Sequence, residues 1–119
     1  MDLLQHLGIK ILKATQDQVE LTLKITEIHH QPYGYLHGGI NGVLIETACS
    51  IGANSYLKDP HYAVGVDLQV SHLNKASSGT LRVIAKPNKV GQTLHFWEAT
   101  ILLDDQTIIA TGHCTLLIK

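Results

Sequence analysis

Residues 31–54 read QPYGYLHGGINGVLIETACSIGAN, and the two halves of that stretch have opposite characters. Pro32, Gly34, Gly38 and Gly39 fall within eight residues and exclude regular structure from the first half. From Ile40 onward Ile40, Val43, Leu44, Thr47, Ala48 and Ile51 recur at helical spacing, which predicts one long helix with a buried stripe. Gly38 and Gly39 stand where that helix begins. Glycine there lets another molecule approach the free N–H groups of the first turn, which carry the positive end of the helix dipole, about half a unit charge. Such a start suits an anion or a developing oxyanion.

Glu46 is the only charged residue between Ile40 and Tyr56. An isolated helical glutamate is usually solvated. Here the helix has no ordinary charged face, so it is expected to be covered on nearly all sides, and a carboxylate kept in such a place is expected to have a chemical task.

Composition narrows the class. The chain has 119 residues, enough for one domain over 1–119 with a single core. Nine Lys and Arg against ten Asp and Glu give a net charge of −1, so neither a nucleic-acid surface nor an acidic tail is indicated. Cys49 and Cys114 do not form a secreted disulfide scaffold, and a reduced, cytoplasmic protein is the default. The opening MDLLQHLGIKILK lacks a basic segment followed by a long apolar one, so no signal peptide is read. No apolar run reaches the ~20 residues of a membrane span.

Around the central helix the punctuation marks strands. Asp2 to Leu7 predicts a short helix ending at Gly8. Ile9–Ala14 and Gln18–Ile25 read as two strands with Asp17 in their turn, the second alternating Val19, Leu21, Leu23 and Ile25 against polar residues. Lys58-Asp59-Pro60 is expected to stop the central helix. From Ala63, Val64, Val66, Leu68 and Val70 are expected to share one face, and Leu73 is out of phase, which puts a bulge or the strand's end near Ser71 and His72. After a turn at Ser77-Ser78-Gly79, a strand through Leu81, Val83 and Ala85 closes at Pro87-Asn88. Gly91 opens a strand from Thr93 to Leu103, Asp104-Asp105 turns it, and Ile108–Ile118 is the last. Connections this short imply antiparallel hairpins. The simplest way to cover so apolar a helix is to wrap the sheet around it: an α+β hotdog fold, five or six antiparallel strands about one long central helix.

Gln31-Pro32-Tyr33-Gly34, His37-Gly38-Gly39 and Glu46 together resemble the hotdog-fold acyl-CoA thioesterases, in the Glu-using branch that includes phenylacetate-pathway and hydroxybenzoyl-CoA or dihydroxynaphthoyl-CoA thioesterases. The likeness covers almost the whole chain. It implies that Gly38 donates its backbone N–H to the thioester carbonyl and that Glu46 is the catalytic carboxylate. It further implies that Gln31 holds water or substrate, His37 supports the carbonyl site, and Ser50, one turn beyond Glu46, assists the carboxylate. Gly39, Tyr33 and His72 are expected beside the substrate. Lys86, Lys89 and Gly91, with Lys75 and Arg82, lie where the family contacts the nucleotide of coenzyme A. The expected substrate is an aromatic or medium-chain acyl-CoA, with no cofactor and no metal.

Geometry adds one constraint. Gly38 and Glu46 are eight residues apart, about 12 Å along a helix, too far to serve one carbonyl. Two antiparallel copies of the helix across a two-fold axis would bring Glu46 of one near Gly38 of the other, so a homodimer, or a dimer of dimers, is expected.

Plainer readings stand beside these. Gln31 suits a loop residue bonding its own backbone, His37 a simple helix cap, and Cys49 a buried small hydrophobe. Tyr33, Tyr35 and Phe96 suit an acyl pocket or ordinary packing. His29, His30 and His37 lack the Cys or acidic companions of a zinc site, and His29 and His30, read on a strand, point to opposite faces. Two other functions remain in view: a hotdog hydroxyacyl-thioester dehydratase, which would use a histidine before the helix, and a non-catalytic acyl-CoA binder.

Overall fold

The computed structural model describes all 119 residues. A short helix α1 (Leu3–Leu7) leads into strands β1 (Lys10–Ala14) and β2 (Val19–Lys24), and a 3-10 turn over Glu27–His29 precedes the glycine loop. The long helix α2 (Gly38–Asn54) follows, then strands β3 (Ala63–His72), β4 (Thr80–Val90), β5 (Leu94–Leu103) and β6 (Thr107–Ile118). All six strands form one antiparallel sheet in the order β1-β2-β4-β5-β6-β3, and α2 packs against it. This is the expected α+β arrangement of a sheet around one helix.

Alternation builds the inner surface of the sheet. Val19, Leu21 and Leu23 of β2 are buried with Leu81, Val83 and Ala85 of β4, their partners in register. Trp97, Ala99 and Ile101 of β5 and Ala110, Cys114 and Leu116 of β6 complete the layer beneath α2. Leu44 and Ile45 of α2 are wholly buried on it, and each such side chain contributes about 1.5–3 kcal/mol. Trp97 lies under Gly52, which has no side chain in the way, and donates its Nε1–H to His95 Nδ1 at 3.3 Å. Burial pushes the pKa of His95 down.

Several details depart from the sequence pattern. The buried face of α2 is Asn41, Leu44, Ile45, Ala48, Cys49, Gly52 and Ala53; Ile40, Val43, Thr47 and Ile51, expected inside, are only half-buried. The helix is therefore not covered on all sides, since a flank carrying Val43, Glu46, Thr47 and Ser50 stays half-open in a single chain. The helix also ends at Asn54, four residues before the expected stop. There the Asn54 amide donates to the carbonyls of Ser50 (2.8 Å) and Ala63 (3.1 Å) and accepts from Ala63 N–H (2.8 Å), tying the exit of α2 to the start of β3.

In β3 the bulge lies at Val66, where the register against β6 slips between Gly65 and Asp67, and not near Ser71 and His72, where the strand ends. The bulge inverts the phase of the strand. Gly65 faces α2 before it and Leu68 and His72 face α2 after it, so Val64 and Val66 do not share the face of Leu68 and Val70. β4 runs past Pro87 to Val90 through a second slip between Pro87 and Lys89, two residues further than expected. His29 and His30 are not on a strand: the buried His29 accepts Thr26 N–H at its Nδ1 (2.9 Å) and reaches the Leu7 carbonyl through Nε2 (2.7 Å), while His30 Nε2 meets the Ser77 carbonyl at 2.7 Å.

The contact of α2 with Trp97 gives a direct test. A methyl group at position 52 would overlap the Trp97 ring, which is fully buried and cannot swing away. Gly52→Ala should destabilise by about 1–3 kcal/mol despite its better helix propensity, lowering the melting temperature by about 5–15 °C in a calorimetric scan.

Candidate active site

The first turn of α2 is built by His37. Its Nδ1 accepts the Gly39 N–H at 2.8 Å, an N-cap made by imidazole, and its carbonyl accepts from Ile40 N–H at 3.0 Å. Those bonds use the Gly39 and Ile40 donors. The Gly38 N–H is left with no partner in the chain. A Cβ on Gly38 would stand 2.9 Å from the His72 ring, so glycine keeps that donor approachable.

A cleft of about 480 Å³ opens at this end of the helix, lined among others by Gln31, Tyr35, Gly38, Asn41, His72 and Lys75. The Gln31 side chain accepts from the Tyr33 N–H, the local bond expected of a loop residue, which leaves its amide N–H groups free toward the cleft. Lys75 sits 4.8 Å from the centre of the Tyr35 ring. Asn41 is 3% exposed; its amide pairs with His72 Nδ1 at 3.1 Å, and its Oδ1 is the one buried side-chain polar atom in the chain with no partner. Leaving such an atom unpaired costs about 1–3 kcal/mol.

Glu46 faces a different cleft, of about 400 Å³, lined by Leu4, Glu46, Thr47, Ser50, Ile51, Ala63, Val64 and Gly65. The carboxylate rests against Gly65, in the space that a side chain at that position would fill. Ser50 is beside it, half-buried, with its Oγ 3.3 Å from the Asn54 amide. Two thiols lie beneath. Burial, then the neighbouring Cys114 and Glu46, push the Cys49 thiol far above its ordinary range, and burial with Glu46 and Asp67 raises Cys114 to about 11. Neither is a thiolate near neutral pH, which leaves Cys49 as core.

The chain thus brings Gln31, Gly38 and His72 together and sets Glu46 and Ser50 apart with Gly65. Other expected residues fall elsewhere. Tyr33 is 85% exposed on the loop. Lys86 lies on the outer face of the sheet in a shallow groove with Glu98 and His113, and Lys89 and Gly91 belong to the β4–β5 hairpin; none borders either cleft. Arg82 is held by Asp105 (2.8 Å) and Glu20 (3.0 Å), whose hydrogen bonds raise its pKa. Phe96 is exposed and borders neither cleft.

Sequence reasoning missed Gly65 and Asn41. A glycine inside a strand of Val and Leu is itself a sign of close approach by another group, and here that group is the Glu46 carboxylate. The position predicts a phenotype. In Gly65→Ala the flexible end of Glu46 must yield, whereas the backbone need not, so the carboxylate moves and the fold stays. A crystal structure of Gly65→Ala should show the Glu46 carboxylate displaced from β3 by about the width of a methyl group, while the circular-dichroism spectrum is unchanged; a carboxylate left in place beside a shifted strand would contradict this.

Known proteins resemble this chain in sequence and fold. Residues 33–110 match the thioesterase superfamily. A 1,4-dihydroxy-2-naphthoyl-CoA hydrolase of Listeria monocytogenes is 31% identical over 119 residues, spanning all of this chain and 97% of that protein. The proofreading thioesterase EntH of Cronobacter turicensis is 33% identical over 104 residues, 87% of this chain and 75% of that one. Among solved structures, a glutamate-to-alanine variant of a Staphylococcus aureus protein superposes with a TM-score of 0.96 at 28% identity, covering 99% of this chain and 98% of that one. A glutamine-to-alanine variant of a Staphylococcus aureus thioesterase gives 0.95 at 28% identity, covering 98% of each.

Proposed function

The chain belongs to the thioesterase superfamily, and from that premise we propose that it hydrolyses an aromatic or medium-chain acyl-CoA at sites shared between two copies of the chain. The observation that carries this reading is the division of labour along α2: an unpartnered Gly38 N–H in one cleft and the Glu46 carboxylate in another, eight residues along the same rigid helix.

In this reading the thioester oxygen sits at Gly38 of one copy. Its N–H and the positive end of α2 stabilise the oxyanion as the carbonyl is attacked, an effect worth about 10² to 10³ in rate. Glu46 of the second copy takes a proton from water as the water adds, or adds to the carbonyl itself to give an anhydride that water opens. Coenzyme A leaves as thiol. Gln31 directs its free amide N–H groups to the water or substrate, Ser50 hydrogen-bonds the carboxylate, and His37 contributes by capping Gly39, so that Gly38 is the donor left over. Lys86, Lys89 and Gly91 would reach the nucleotide only from a neighbouring copy's site.

Two features support pairing. β3 is an edge strand of ten residues whose outer side has no partner, with Val66 55% exposed; such an edge invites a second strand. The half-open flank of α2 carries no charge other than Glu46. The glutamine and glutamate replaced in the Staphylococcus aureus relative are at positions 32 and 47 of that chain, the fifteen-residue separation of Gln31 and Glu46. The Listeria relative, a 1,4-dihydroxy-2-naphthoyl-CoA hydrolase by name, favours the aromatic acyl group.

Thiol release from benzoyl-CoA, hydroxybenzoyl-CoA, hexanoyl-CoA and lauroyl-CoA tests the proposal. Glu46→Gln should keep fold and dimer and lose at least ~10² in turnover. Gly38→Ala adds a Cβ beside the His72 ring and keeps the N–H, so it is the steric control and should lose less. Gly38→Pro adds the same Cβ and also deletes the proposed donor at the first helical position, where the backbone tolerates proline because His37, at ψ 129°, already has the extended geometry a following proline requires. It should lose ~10² to 10³. A Glu46→Gln enzyme with normal turnover would remove Glu46 from the reaction; a wild type inert toward thioesters but active on a hydroxyacyl-CoA would favour dehydration.

A further inference from the structure

Two groups in the Gly38 cleft have no chemical role in the account so far: the imidazole of His72, expected only to stand beside the substrate, and the buried amide of Asn41 with its orphaned oxygen. His72 comes from the last residue of β3, and its ring lies against Gly38, with Nε2 3.2 Å from the point where a Cβ would stand. Its Nδ1 meets the Asn41 amide at 3.1 Å, while Nε2 has no partner in the chain. Asn41, one turn into α2, is 3% exposed and touches the same cleft.

The orientation of the Asn41 amide follows from hydrogen-bond accounting. With the NH₂ toward His72 Nδ1, the amide oxygen and one N–H are left unpaired. With the amide reversed, the oxygen would be paired and both buried N–H donors unpaired, and an orphaned donor is the rarer and costlier defect. Asn41 therefore donates and His72 Nδ1 accepts. A neutral imidazole whose Nδ1 accepts must carry its proton on Nε2.

We infer that Asn41 is a positioning residue: it locks His72 as the Nε2–H tautomer and so gives the Gly38 cleft a second hydrogen-bond donor for the thioester. The inference rests on the assignment of the thioester carbonyl to that cleft. His72 is then the group that touches substrate, and Asn41 acts only through it. The amide is kept buried with one oxygen unpaired because a hydrocarbon at position 41 could not hold the ring.

The decisive substitution is Asn41→Asp, close to isosteric. A carboxylate accepts where the amide donates, so His72 should turn to its Nδ1–H tautomer and present a bare nitrogen to the cleft. Long-range ¹H–¹⁵N spectra of the His72 ring, recorded well above the ordinary histidine range, report the tautomer without substrate. We expect Nε2–H in the wild type and Nδ1–H in Asn41→Asp. At that same high pH, where the ring is neutral and the bare Nε2 cannot donate, kcat on whichever of benzoyl-CoA and hexanoyl-CoA is turned over should fall about tenfold and KM change by less than about twofold, since the lost donor acts on the oxyanion. Asn41→Ser, whose hydroxyl can still donate, should recover part of kcat. In a His72→Ala background Asn41→Asp should have no further effect on kcat. A wild-type ring protonated on Nδ1, or an Asn41→Asp loss undiminished without His72, overturns the inference. If the wild type hydrolysed no acyl-CoA while the tautomers behaved as expected, the hydrolytic reading would fall and the Asn41–His72 lock would stand.

Discussion

Everything about the site depends on the rigidity of one helix. Gly38 and Glu46 are both on α2, and a helix of 17 residues holds them about 12 Å apart whatever the loops do. One chain therefore cannot apply both groups to one carbonyl. The structure expresses that separation as two clefts, and the features that would otherwise be defects then have a reason. A half-open helix flank whose single charge is Glu46, a ten-residue strand edge with nothing beside it and a carboxylate kept away from the Gly38 N–H each have a place in the proposed two-copy site.

The working groups are prepared by their neighbours. The chain gives the first-turn donors of α2 different fates: the His37 ring takes the N–H of Gly39, and its carbonyl takes that of Ile40. The Gly38 donor is thereby isolated at the positive end of the helix. The bulge at Val66 turns Gly65 toward α2, and the missing side chain makes the seat of Glu46. Asn54, bonded to Ser50 and Ala63, ties the exit of the helix to the start of the strand that forms this seat. Strand irregularity and helix end belong to one device.

The sequence made the hairpins, the long helix and the glycine loop legible, because each rests on a local signal: period two, period near four, or clustered Gly and Pro. Glu46 was visible as the lone charge in an apolar helix, and Gly38 as a glycine at the start of that helix. The misses share a cause. The bulge is invisible in Val64, Val66, Leu68 and Val70, whose alternation continues unbroken while the backbone inserts a residue. The buried face of α2 was read one step off because its open flank is nearly as apolar as its core face, so no polar stripe marks the outside. Asn41 looks like any helical amide until His72, 31 residues later, lies against it. Such pairings belong to tertiary structure, and the local pattern carries no trace of them.

The most direct measurement mixes two damaged enzymes. Glu46→Gln and Gly38→Pro chains, each nearly inactive alone, are unfolded together, refolded at equal concentration and assayed for thiol release. A mixed dimer would contain one site with Gly38 and Glu46 both intact and one site with both lost. Random pairing then restores about a quarter of wild-type activity, because half the dimers are mixed and each has one working site of two. Recovery to that level would establish that the site is built from two copies. Activity no greater than the sum of the separate variants, in a preparation shown by mass to contain mixed dimers, would mean that each chain works alone and would contradict the account.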